Sequence, residues 1–319
     1  MRFVIRADAR RITGAGHVTR CIAVAEELID RGFEVCFVGD TSDLRWITDL
    51  VCTTGFSEIF HQEREFYSDP DFDILILDSY TLNPKANFLL QDKWLKIVAL
   101  KDPYTLNYKT DLDVHVTIRD FVPQKKDKTN EIGGPQYFPI RSALKVERAR
   151  PTKVTPPRII ITSGGSEIEG VISVITRSLA LIEIDYAAVV LSNQPLEIVD
   201  SRFTRVEIGE NFQHLLRDAS VVFTSAGVTS IEIAANKIPM GVYCAVPNQI
   251  ENYETLTRRG VAYSLGRFDS NFGEISPEKI LTVLESEDRV HSGHFLLDFD
   301  GARRIVDSIL NLIPSPKAK

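Results

Sequence analysis

Residues 14–17 read GAGH and place a histidine after two glycines, shortly downstream of the apolar segment RFVIRA. The stretch fails as a dinucleotide-binding fingerprint, because the third glycine would fall at Thr19, and no Gly-Lys-Ser/Thr follows as in a P-loop. We therefore expect Gly14 and Gly16 to form a turn that places His17 at a helix N-terminus. There the charged imidazolium is disfavoured, and neutral imidazole can accept a proton. A capping or packing role for His17 is the alternative.

Residues 225–256 contain a second group of polar side chains. Ser225, Ala226 and Gly227 lead from an apolar run into a helical pattern, whose first N–H groups could hold a diphosphate. Glu232 could accept hydrogen bonds from vicinal hydroxyls such as those of a ribose. After the run MGVYCAV come amide side chains that suit sugar hydroxyls and N-acetyl groups, at Asn248, Gln249 and Asn252. An ordinary capped helix with a polar surface is the alternative.

Two further loops follow predicted strands. The loop TSGGS holds Gly164 and Gly165, which permit close approach of the backbone to an anion. A turn that needs a positive φ would use the same glycines. In the loop LDSY, Asp78 could cap the following helix, and Tyr80 could stack on a substrate or hydrogen-bond to it. Either side chain could instead be architectural.

Short apolar runs alternate with helical patterns along the chain, which is typical of parallel strands buried on both faces. The N-terminal runs are RFVIRA, EVCFVG, DILILDS, KIVALKD and DVHVTI. The C-terminal runs are RIIIT, YAAVVLS, RVEIG, SVVFTS, MGVYCAV and AYSLG. Between the first two runs an apolar helical stripe ends at Arg31 and Gly32, a pattern that fits a helix C-cap. This arrangement predicts a right-handed βαβ unit.

A polar stretch with three prolines interrupts the alternation near the middle of the chain. We expect an N-terminal domain at residues 1–147, a linker at 148–157 and a C-terminal domain at 158–319, whose last helix could pack back on the N-terminal domain. The predicted fold class is α/β, with two Rossmann-like domains facing each other. Ligands of open α/β sheets bind outside the carboxyl ends of the strands, so the cleft between the domains is the expected site.

The composition narrows the classes of function. A chain of 319 residues, 44% hydrophobic and 25% charged, fits a compact protein of two domains. The formal net charge of −7 argues against a general nucleic-acid binder. No apolar run reaches the length of a membrane span and no secretion signal is recognisable, so a cytoplasmic location is expected. The 4 cysteines have neither metal-ligand spacing nor a redox C-x-x-C pair.

Taken in order, the motifs resemble those of a known family. IRADARRITGAGHVTRCIAVAEEL, LDSY, IGGPQYFPIR, IIITSGGSE, ASVVFTSAGVTSIE, NQIEN and DFDGARRIV are similar to the UDP-2,4-diacetamido-2,4,6-trideoxy-β-L-altropyranose hydrolases of pseudaminic acid biosynthesis. The similarity runs over nearly the whole chain. The C-terminal half is also similar to the N-acetylglucosaminyltransferase that forms lipid II. Both resemblances imply the GT-B fold, in which two Rossmann-like domains form the enzyme.

The family resemblance implies a metal-independent hydrolase without a cofactor that releases UDP from a UDP-linked 6-deoxy diacetamido sugar, with inversion at the anomeric carbon. His17 would be the general base or hold the attacking water, with Tyr80 and Asn252 as further catalytic residues. Glu232 would bind the ribose. The implied diphosphate loop is Ser225, Ala226, Gly227, Val228 and Thr229. The other implied substrate-binding residues are Asp8, Gly14, Gly16, Gly164, Gly165, Asn248 and Gln249.

The chain departs from the family pattern at two positions. Val228 stands where the family usually has a second glycine, and Ile231 stands where it often has a tryptophan. A GT-B glycosyltransferase that passes the sugar of a UDP-amino sugar donor to an acceptor hydroxyl is the main alternative function. A non-catalytic nucleotide-sugar binder is the third. The sequence leaves the oligomeric state open, a monomer included.

Overall fold

The computed structural model describes residues 1–11, 13–71, 73–123, 130–147, 156–165, 170–195, 200–209, 212–267, 275–285 and 297–313. Contacts between residues divide the chain into two compact units. Unit 1 comprises Met1–Ser142 and Leu296–Lys319, and unit 2 comprises Ala143–Phe295. Most of the predicted linker at 148–157 lies outside the described residues, as does Ser166 at the end of TSGGS.

Unit 1 is built on one sheet whose neighbouring strands all pair in parallel. Its strands are β1 (Arg2–Ala7), β2 (Glu34–Val38), β3 (Glu58–Phe60), β4 (Asp73–Asp78), β5 (Lys96–Lys101), β6 (Leu112–His115) and β7 (Asn130–Gly133). Their order across the sheet is β3-β2-β1-β4-β5-β6-β7. The order reverses direction between β1 and β4, so the carboxyl ends of these two strands flank a topological switch point, where ligands of such sheets bind.

Helix α1 (Gly16–Asp30) connects β1 to β2 and completes the βαβ unit that the sequence predicts. Its buried residues follow the apolar stripe that includes Val18, Cys21 and Ile22. The helix ends with Gly32 at a φ of 80°, a left-handed conformation that glycine adopts without strain. The N–H groups of Gly32 and Phe33 then cap the last turn. A second helix, α2 (Arg45–Thr53), follows β2.

Unit 2 repeats the same architecture with its own parallel sheet. Its strands are β8 (Arg158–Thr162), β9 (Ala187–Leu191), β10 (Phe203–Val206), β11 (Val221–Ser225), β12 (Met240–Cys244) and β13 (Tyr263–Arg267), in the order β10-β9-β8-β11-β12-β13. Its helices are α3 (Val171–Ala180), α4 (Phe212–Asp218), α5 (Val228–Ala235), α6 (Ile250–Arg258) and α7 (Pro277–Leu284). The switch point lies between β8 and β11. Both units are therefore Rossmann-like.

The sequence misses the two strands at the edges of the first sheet. β3 and β7 have only three and four residues, and most of their side chains are exposed or half-buried. Short edge strands need no continuous apolar run, because only one of their sides is paired and little of their surface is buried. The strand predicted at RVEIG lies two residues too late in the sequence, because β10 begins at Phe203. β10 is also an edge strand, so its apolar signal is weak.

The last described helix, α8 (Gly301–Leu310), packs on unit 1. Arg31 of α1 forms an ion pair with Asp307 of α8, with Nη1 and Oδ1 2.7 Å apart. Arg304 donates a hydrogen bond from Nη1 to the carbonyl oxygen of Gln136, at 2.9 Å. The predicted C-terminal domain at 158–319 therefore differs from unit 2 at its end, because α8 is held by contacts within unit 1.

At Gly301 the first residue of α8 lies against the backbone of Phe138. A Cβ atom at Gly301 would lie 2.0 Å from the carbonyl oxygen of Phe138, which belongs to the backbone and cannot turn away. We predict that Gly301→Ala lowers the free energy of unfolding by roughly 1–3 kcal/mol, the usual cost of overpacking. Urea unfolding of the whole chain measures the change. Gly209→Ala is the matched control, because nothing lies within 4 Å of a Cβ there; equal effects of the two substitutions would contradict the packing argument.

Candidate functional site

The carboxyl ends of β1, β4 and β5 are adjacent and carry the first candidate site. The turn after β1 contains Gly14 with a φ of 80°, and its N–H donates to the carbonyl oxygen of Arg10 at 2.7 Å. Gly16 has no positive φ; it is the first residue of α1. His17 therefore lies in the first turn of α1, at the edge of the sheet where the sequence places it.

His17 is paired with a fully buried carboxylate. Its Nδ1 lies 2.5 Å from Oδ1 of Asp78, the last residue of β4, and the two side chains are 5% and 0% exposed. A carboxylate oxygen can only accept a hydrogen bond, so Nδ1 carries the proton. In this tautomer Nε2 bears the lone pair. Among the described residues Nε2 has no hydrogen-bond partner, so the imidazole can act as a proton acceptor.

Arg20 pairs with the carboxylate of Asp78. It lies three residues after His17 on the same face of α1 and is itself buried. Its Nε donates to Oδ2 of Asp78 and its Nη2 donates to Oδ1 at 2.7 Å, so the guanidinium fork matches both carboxylate oxygens. Nη2 also contacts Nδ1 of His17 at 3.1 Å. A buried carboxylate needs such a partner, because its desolvation alone would favour the neutral acid.

Tyr80 and Asp102 complete the cluster, which we call the His17 cluster: His17, Arg20, Asp78, Tyr80 and Asp102. The Tyr80 hydroxyl donates to Oδ2 of Asp102, and its ring meets the imidazole edge to face, with centroids 4.1 Å apart. Nη2 of Arg20 lies 3.2 Å from the same Oδ2. Burial raises the pKa of Tyr80 above its usual value, so the phenol stays protonated at neutral pH.

The sequence misses two members of the His17 cluster, and it assigns a third a different role. The spacing of Arg20, three residues after His17 on a predicted helix, could have indicated that the two side chains are neighbours. For Asp102 the only indication is its position directly after a predicted strand. Asp78 caps no helix among the described residues; its carboxylate pairs with His17 and Arg20, which agrees with the architectural alternative. Its neighbour Ser79 caps the turn instead: Ser79 Oγ accepts hydrogen bonds from the N–H groups of Thr81 and Leu82, each at 3.1 Å.

Asp8, at the end of β1, is engaged with the protein itself. Its Oδ1 accepts a hydrogen bond from the N–H of Asp40 at 2.9 Å, and its Oδ2 lies 2.8 Å from Nη1 of Arg6. Arg6 also contacts Glu63 through Nε at 2.7 Å. The Asp8 carboxylate therefore connects the loops after β1 and β2, which supports the turn that leads to His17.

In unit 2 the hydroxyl of Ser225 joins three loops at the carboxyl edge of the sheet. It donates to the carbonyl oxygen of Ser163, after β8, at 2.9 Å and accepts from Nε2 of Gln249 at 3.1 Å. The other amide atom of Gln249, Oε1, accepts from the N–H of Ala245 at 3.0 Å. Both polar atoms of this amide thus hold the loops in place. We call this arrangement the Ser225 junction.

The start of α5 beside this junction has the character of an anion site. Ala226 is buried and donates its N–H to the carbonyl of Tyr243, which fixes the turn before Gly227. Within the described chain, the N–H groups of Val228 and Thr229 have no backbone acceptor, so they form the positive end of the helix.

Gly164 leaves room in front of this helix end. Its φ is 89°, and a Cβ there would lie 3.5 Å from Oγ1 of Thr229 and 3.6 Å from Oγ of Ser225. The adjacent Gly165 has no positive φ. The structure shows the positive φ that calls for a glycine at residue 164, and a close approach of the backbone to an anion stays a prediction.

The remaining predicted ligands lie on or beside α5 and α6. Glu232 is buried in the middle of α5. Asn248 is exposed in the short helical turn after β12, and Asn252 is half-buried in the first turn of α6. The structure thus brings Ser225, Gly164 and Gln249 together. It shows no hydrogen bond from the side chain of Asn252 to any described residue.

Three side chains of metal-ligand type meet elsewhere in unit 1. Candidate ligand atoms of Asp113, His115 and Glu131 lie within 4.8 Å of one another among the described residues. Asp113 already accepts from the Lys101 ammonium, with Nζ and Oδ2 2.6 Å apart, and from the hydroxyl of Thr110. The lysine neutralises one of the two carboxylates, so the group is a poor match for a divalent cation.

No helix in the described part of the chain is both long and apolar enough to cross a membrane.

Solved structures show what the chain is similar to. No protein-family model matches it, and no curated protein matches it. The MurG structure of Acinetobacter baumannii superimposes with a TM-score of 0.64 at 13% identity, covering 98% of this chain and 100% of that one. The spinosyn forosaminyltransferase SpnP gives 0.66 at 13% identity, covering 98% and 99%. A Listeria monocytogenes protein described as a UDP-N-acetylglucosamine 2-epimerase gives 0.63 at 13% identity, covering 100% and 99%. Together with the two parallel sheets, these likenesses establish the GT-B fold.

The buried ion pair of Arg20 and Asp78 should contribute to the stability of the fold. In Arg20→Met the carboxylate of Asp78 stays buried without its cation, so we expect a loss of about 3–5 kcal/mol in the free energy of unfolding at pH 7. Urea unfolding measures the loss. Arg158→Met is the control: Arg158 pairs with Asp218 at 2.7 Å, but both side chains are exposed, so that change should cost no more than about 1 kcal/mol.

The pH dependence of this difference has a defined sign. Burial would raise the pKa of Asp102, but the charge of Arg20 and the Tyr80 hydroxyl outweigh it and hold the pKa below its usual range. The stabilisation from Asp102 is therefore complete above about pH 4 and is lost as the pH falls through the lowered value. The gap between wild type and Arg20→Met should narrow below about pH 4. A gap that stays constant down to pH 2 would contradict the ionic origin.

Proposed function

We propose that this protein is a nucleotide-sugar hydrolase that cleaves a UDP-linked 6-deoxy diacetamido sugar at the anomeric C–O bond, releasing UDP and the free sugar with inversion. The observation that carries the proposal is the pairing of His17 with Asp78. It fixes the tautomer of the imidazole and leaves Nε2 as a base at the carboxyl edge of the sheet. The substrate class comes from the family resemblance of the motifs, and the GT-B fold supports it.

The proposed reaction is a single displacement by water. Nε2 of His17 takes a proton from water while the water oxygen attacks the anomeric carbon. The bond from that carbon to the UDP oxygen breaks, and UDP leaves with the electron pair. Because the attack comes from the face opposite the leaving group, the configuration inverts, as in the inverting glycosidases. The growing positive charge on His17 is next to the carboxylate of Asp78.

The features of unit 2 suit the leaving group. The N–H groups of Val228 and Thr229 stand at the positive end of α5, which favours a diphosphate. Gly164 lets the phosphates approach, and Ser225 holds the loops that form the site. Glu232 and the amides Asn248 and Asn252 remain the proposed ligands of the ribose and the acetamido groups. In this proposal unit 2 binds the UDP part of the substrate, without a metal ion.

Three neighbours with the GT-B fold bear on the class of reaction. They are MurG, the forosaminyltransferase SpnP and the Listeria protein described as a UDP-N-acetylglucosamine 2-epimerase. Their names include a transferase and support an activity on nucleotide sugars, so the acceptor decides between transfer and hydrolysis.

The first test of the proposal is hydrolysis by a His17 variant. We predict that purified protein releases UDP from UDP-2,4-diacetamido-2,4,6-trideoxy-β-L-altropyranose without an added acceptor. His17→Gln should lower kcat by about 10²–10⁴-fold, the usual contribution of a general base. UDP release followed by mass spectrometry measures both. His214→Gln, which changes an exposed histidine of α4, should keep full activity.

Isotope labelling separates the competing reactions. In ¹⁸O water the label should enter the sugar, and NMR of the fresh product should show the inverted anomer. Label in UDP would mean attack at phosphorus and would reject the proposed mechanism. UDP release that begins only when an acceptor alcohol is added would identify a glycosyltransferase. Tight UDP binding without turnover of any UDP-amino sugar would identify a binding protein.

The second test concerns the Ser225 junction. Ser225→Ala removes one hydrogen bond to each of two neighbouring loops, at Ser163 and Gln249. We predict that it weakens UDP binding about tenfold, because a hydrogen bond contributes about 0.5–1.5 kcal/mol. Isothermal titration with UDP measures the affinity. Ser201→Ala, at an exposed turn of unit 2, is the control; equal affinities of the two variants would contradict a role of the junction in UDP binding.

A further inference from the structure

The charges of the His17 cluster do not balance while the imidazole is neutral. Arg20 carries one positive charge, and Asp78 and Asp102 carry one negative charge each. The cluster reaches neutrality only when His17 is protonated. His17, Arg20 and Asp78 are buried and the side chain of Asp102 is 13% exposed, so solvent screens the charges of the cluster weakly.

We infer that Asp102 is a positioning residue that makes His17 a stronger base by supplying the negative charge that compensates the imidazolium. The inference deepens the proposed function and rests on it for its catalytic consequence. Without Asp102, the charges of Arg20 and Asp78 would cancel. A proton on His17 would then add an uncompensated positive charge to a buried site.

Contacts connect Asp102 to His17 by two routes. Nη2 of Arg20 lies 3.2 Å from Oδ2 of Asp102 and 3.1 Å from Nδ1 of His17, so one nitrogen touches both groups. The Tyr80 hydroxyl donates to the same Oδ2, and its ring packs against the imidazole. Asp102 does not contact the reacting atoms. It acts on His17 through its negative charge, which Arg20 and Tyr80 hold beside the imidazole.

The other carboxylate oxygen of Asp102 holds the group in place. Oδ1 accepts a hydrogen bond from the N–H of Tyr104 at 3.0 Å and one from the hydroxyl of Thr105 at 3.2 Å. The N–H of Asp102 in turn donates to Oγ1 of Thr105 at 3.0 Å. The loop after β5 thus fixes the carboxylate with Oδ2 toward the cluster.

Six further charged or titratable groups lie on the elements around the cluster. They are Arg6 on β1, Asp8 directly after β1, Cys21 on α1, Lys101 on β5, and Tyr104 and Tyr108 on the loop that follows β5. Burial raises the pKa of the Cys21 thiol, and it raises the pKa of Tyr108 to about 12, so both are neutral at pH 7. Arg6 pairs with Asp8 and Glu63, and Lys101 pairs with Asp113. Among the described residues, neither Arg6 nor Lys101 hydrogen-bonds to His17, Asp78 or Arg20.

The pH dependence of kcat/KM tests the inference. His17 must be neutral to accept a proton, so its protonation sets the acid limb of the profile. In Asp102→Asn the imidazolium loses its compensating charge, and His17 stays neutral to lower pH. We expect the acid limb to move down by about one pH unit and the plateau to fall about tenfold, because a weaker base accepts the proton less readily.

Three further variants make the test specific. Asp102→Glu keeps the charge and should return the acid limb toward its wild-type position. Tyr80→Phe removes the hydrogen bond to Asp102 but keeps the carboxylate, so it should produce no downward shift of the limb. Asp92→Asn removes an exposed carboxylate of unit 1 and should leave the whole profile unchanged. A slower Asp102→Asn enzyme whose acid limb does not move would overturn the inference.

A second readout keeps the inference separate from the proposed function. The ring protons of His17 can be followed by NMR across the pH range, with His17→Gln identifying its signals among the 6 histidines. The titration midpoint of His17 should be lower in Asp102→Asn than in the wild type, whether or not the protein hydrolyses a UDP sugar. Equal midpoints reject the role of Asp102. Absence of hydrolysis with a lowered midpoint rejects only the proposed function.

Discussion

The ion pair between Arg20 and Asp78 is the contact on which the candidate site of unit 1 depends. Asp78 ends a central strand and is fully buried, a position in which an isolated carboxylate would be too costly to ionise. The guanidinium of Arg20 engages both of its oxygens, and one of them also accepts the imidazole N–H. The pair therefore joins α1 to β4 and at the same time orients the imidazole of His17.

The two units use different physical means to prepare their sites. Unit 1 gathers ionised side chains at the ends of β1, β4 and β5. Unit 2 uses neutral groups: the N–H groups at the start of α5, the hydroxyl of Ser225 and the amide of Gln249. Charges can be placed in a sheet edge only where each has a partner, whereas backbone dipoles need only a glycine that leaves the helix end open.

Much of this architecture can be predicted from the sequence, because buried parallel strands leave continuous apolar runs. Two helices, α1 and α5, begin at Gly16 and Val228, and the small residues that follow such apolar runs indicate both beginnings. The edge strands β3 and β7 leave no comparable signal, since little of their surface is buried. The place of Asp102 in the His17 cluster and the hydrogen bonds of Gln249 depend on which strands become neighbours in the sheets. The local sequence does not predict this strand order. Helix α8 is recognisable as a helix, but its place beside α1 is set by contacts between residues 276 positions apart, such as Arg31 and Asp307.

The docking of α8 on α1 has a consequence for the order in which the protein is made. The ribosome releases residues 1–142 before α8, so the surface of α1 that α8 covers stays open until α8 has emerged. Unit 2 can fold in the interval, because its strands are contiguous in sequence. The nascent unit 1 thus exposes apolar surface on the helix that carries His17, and a chaperone that shields this surface would act until α8 docks.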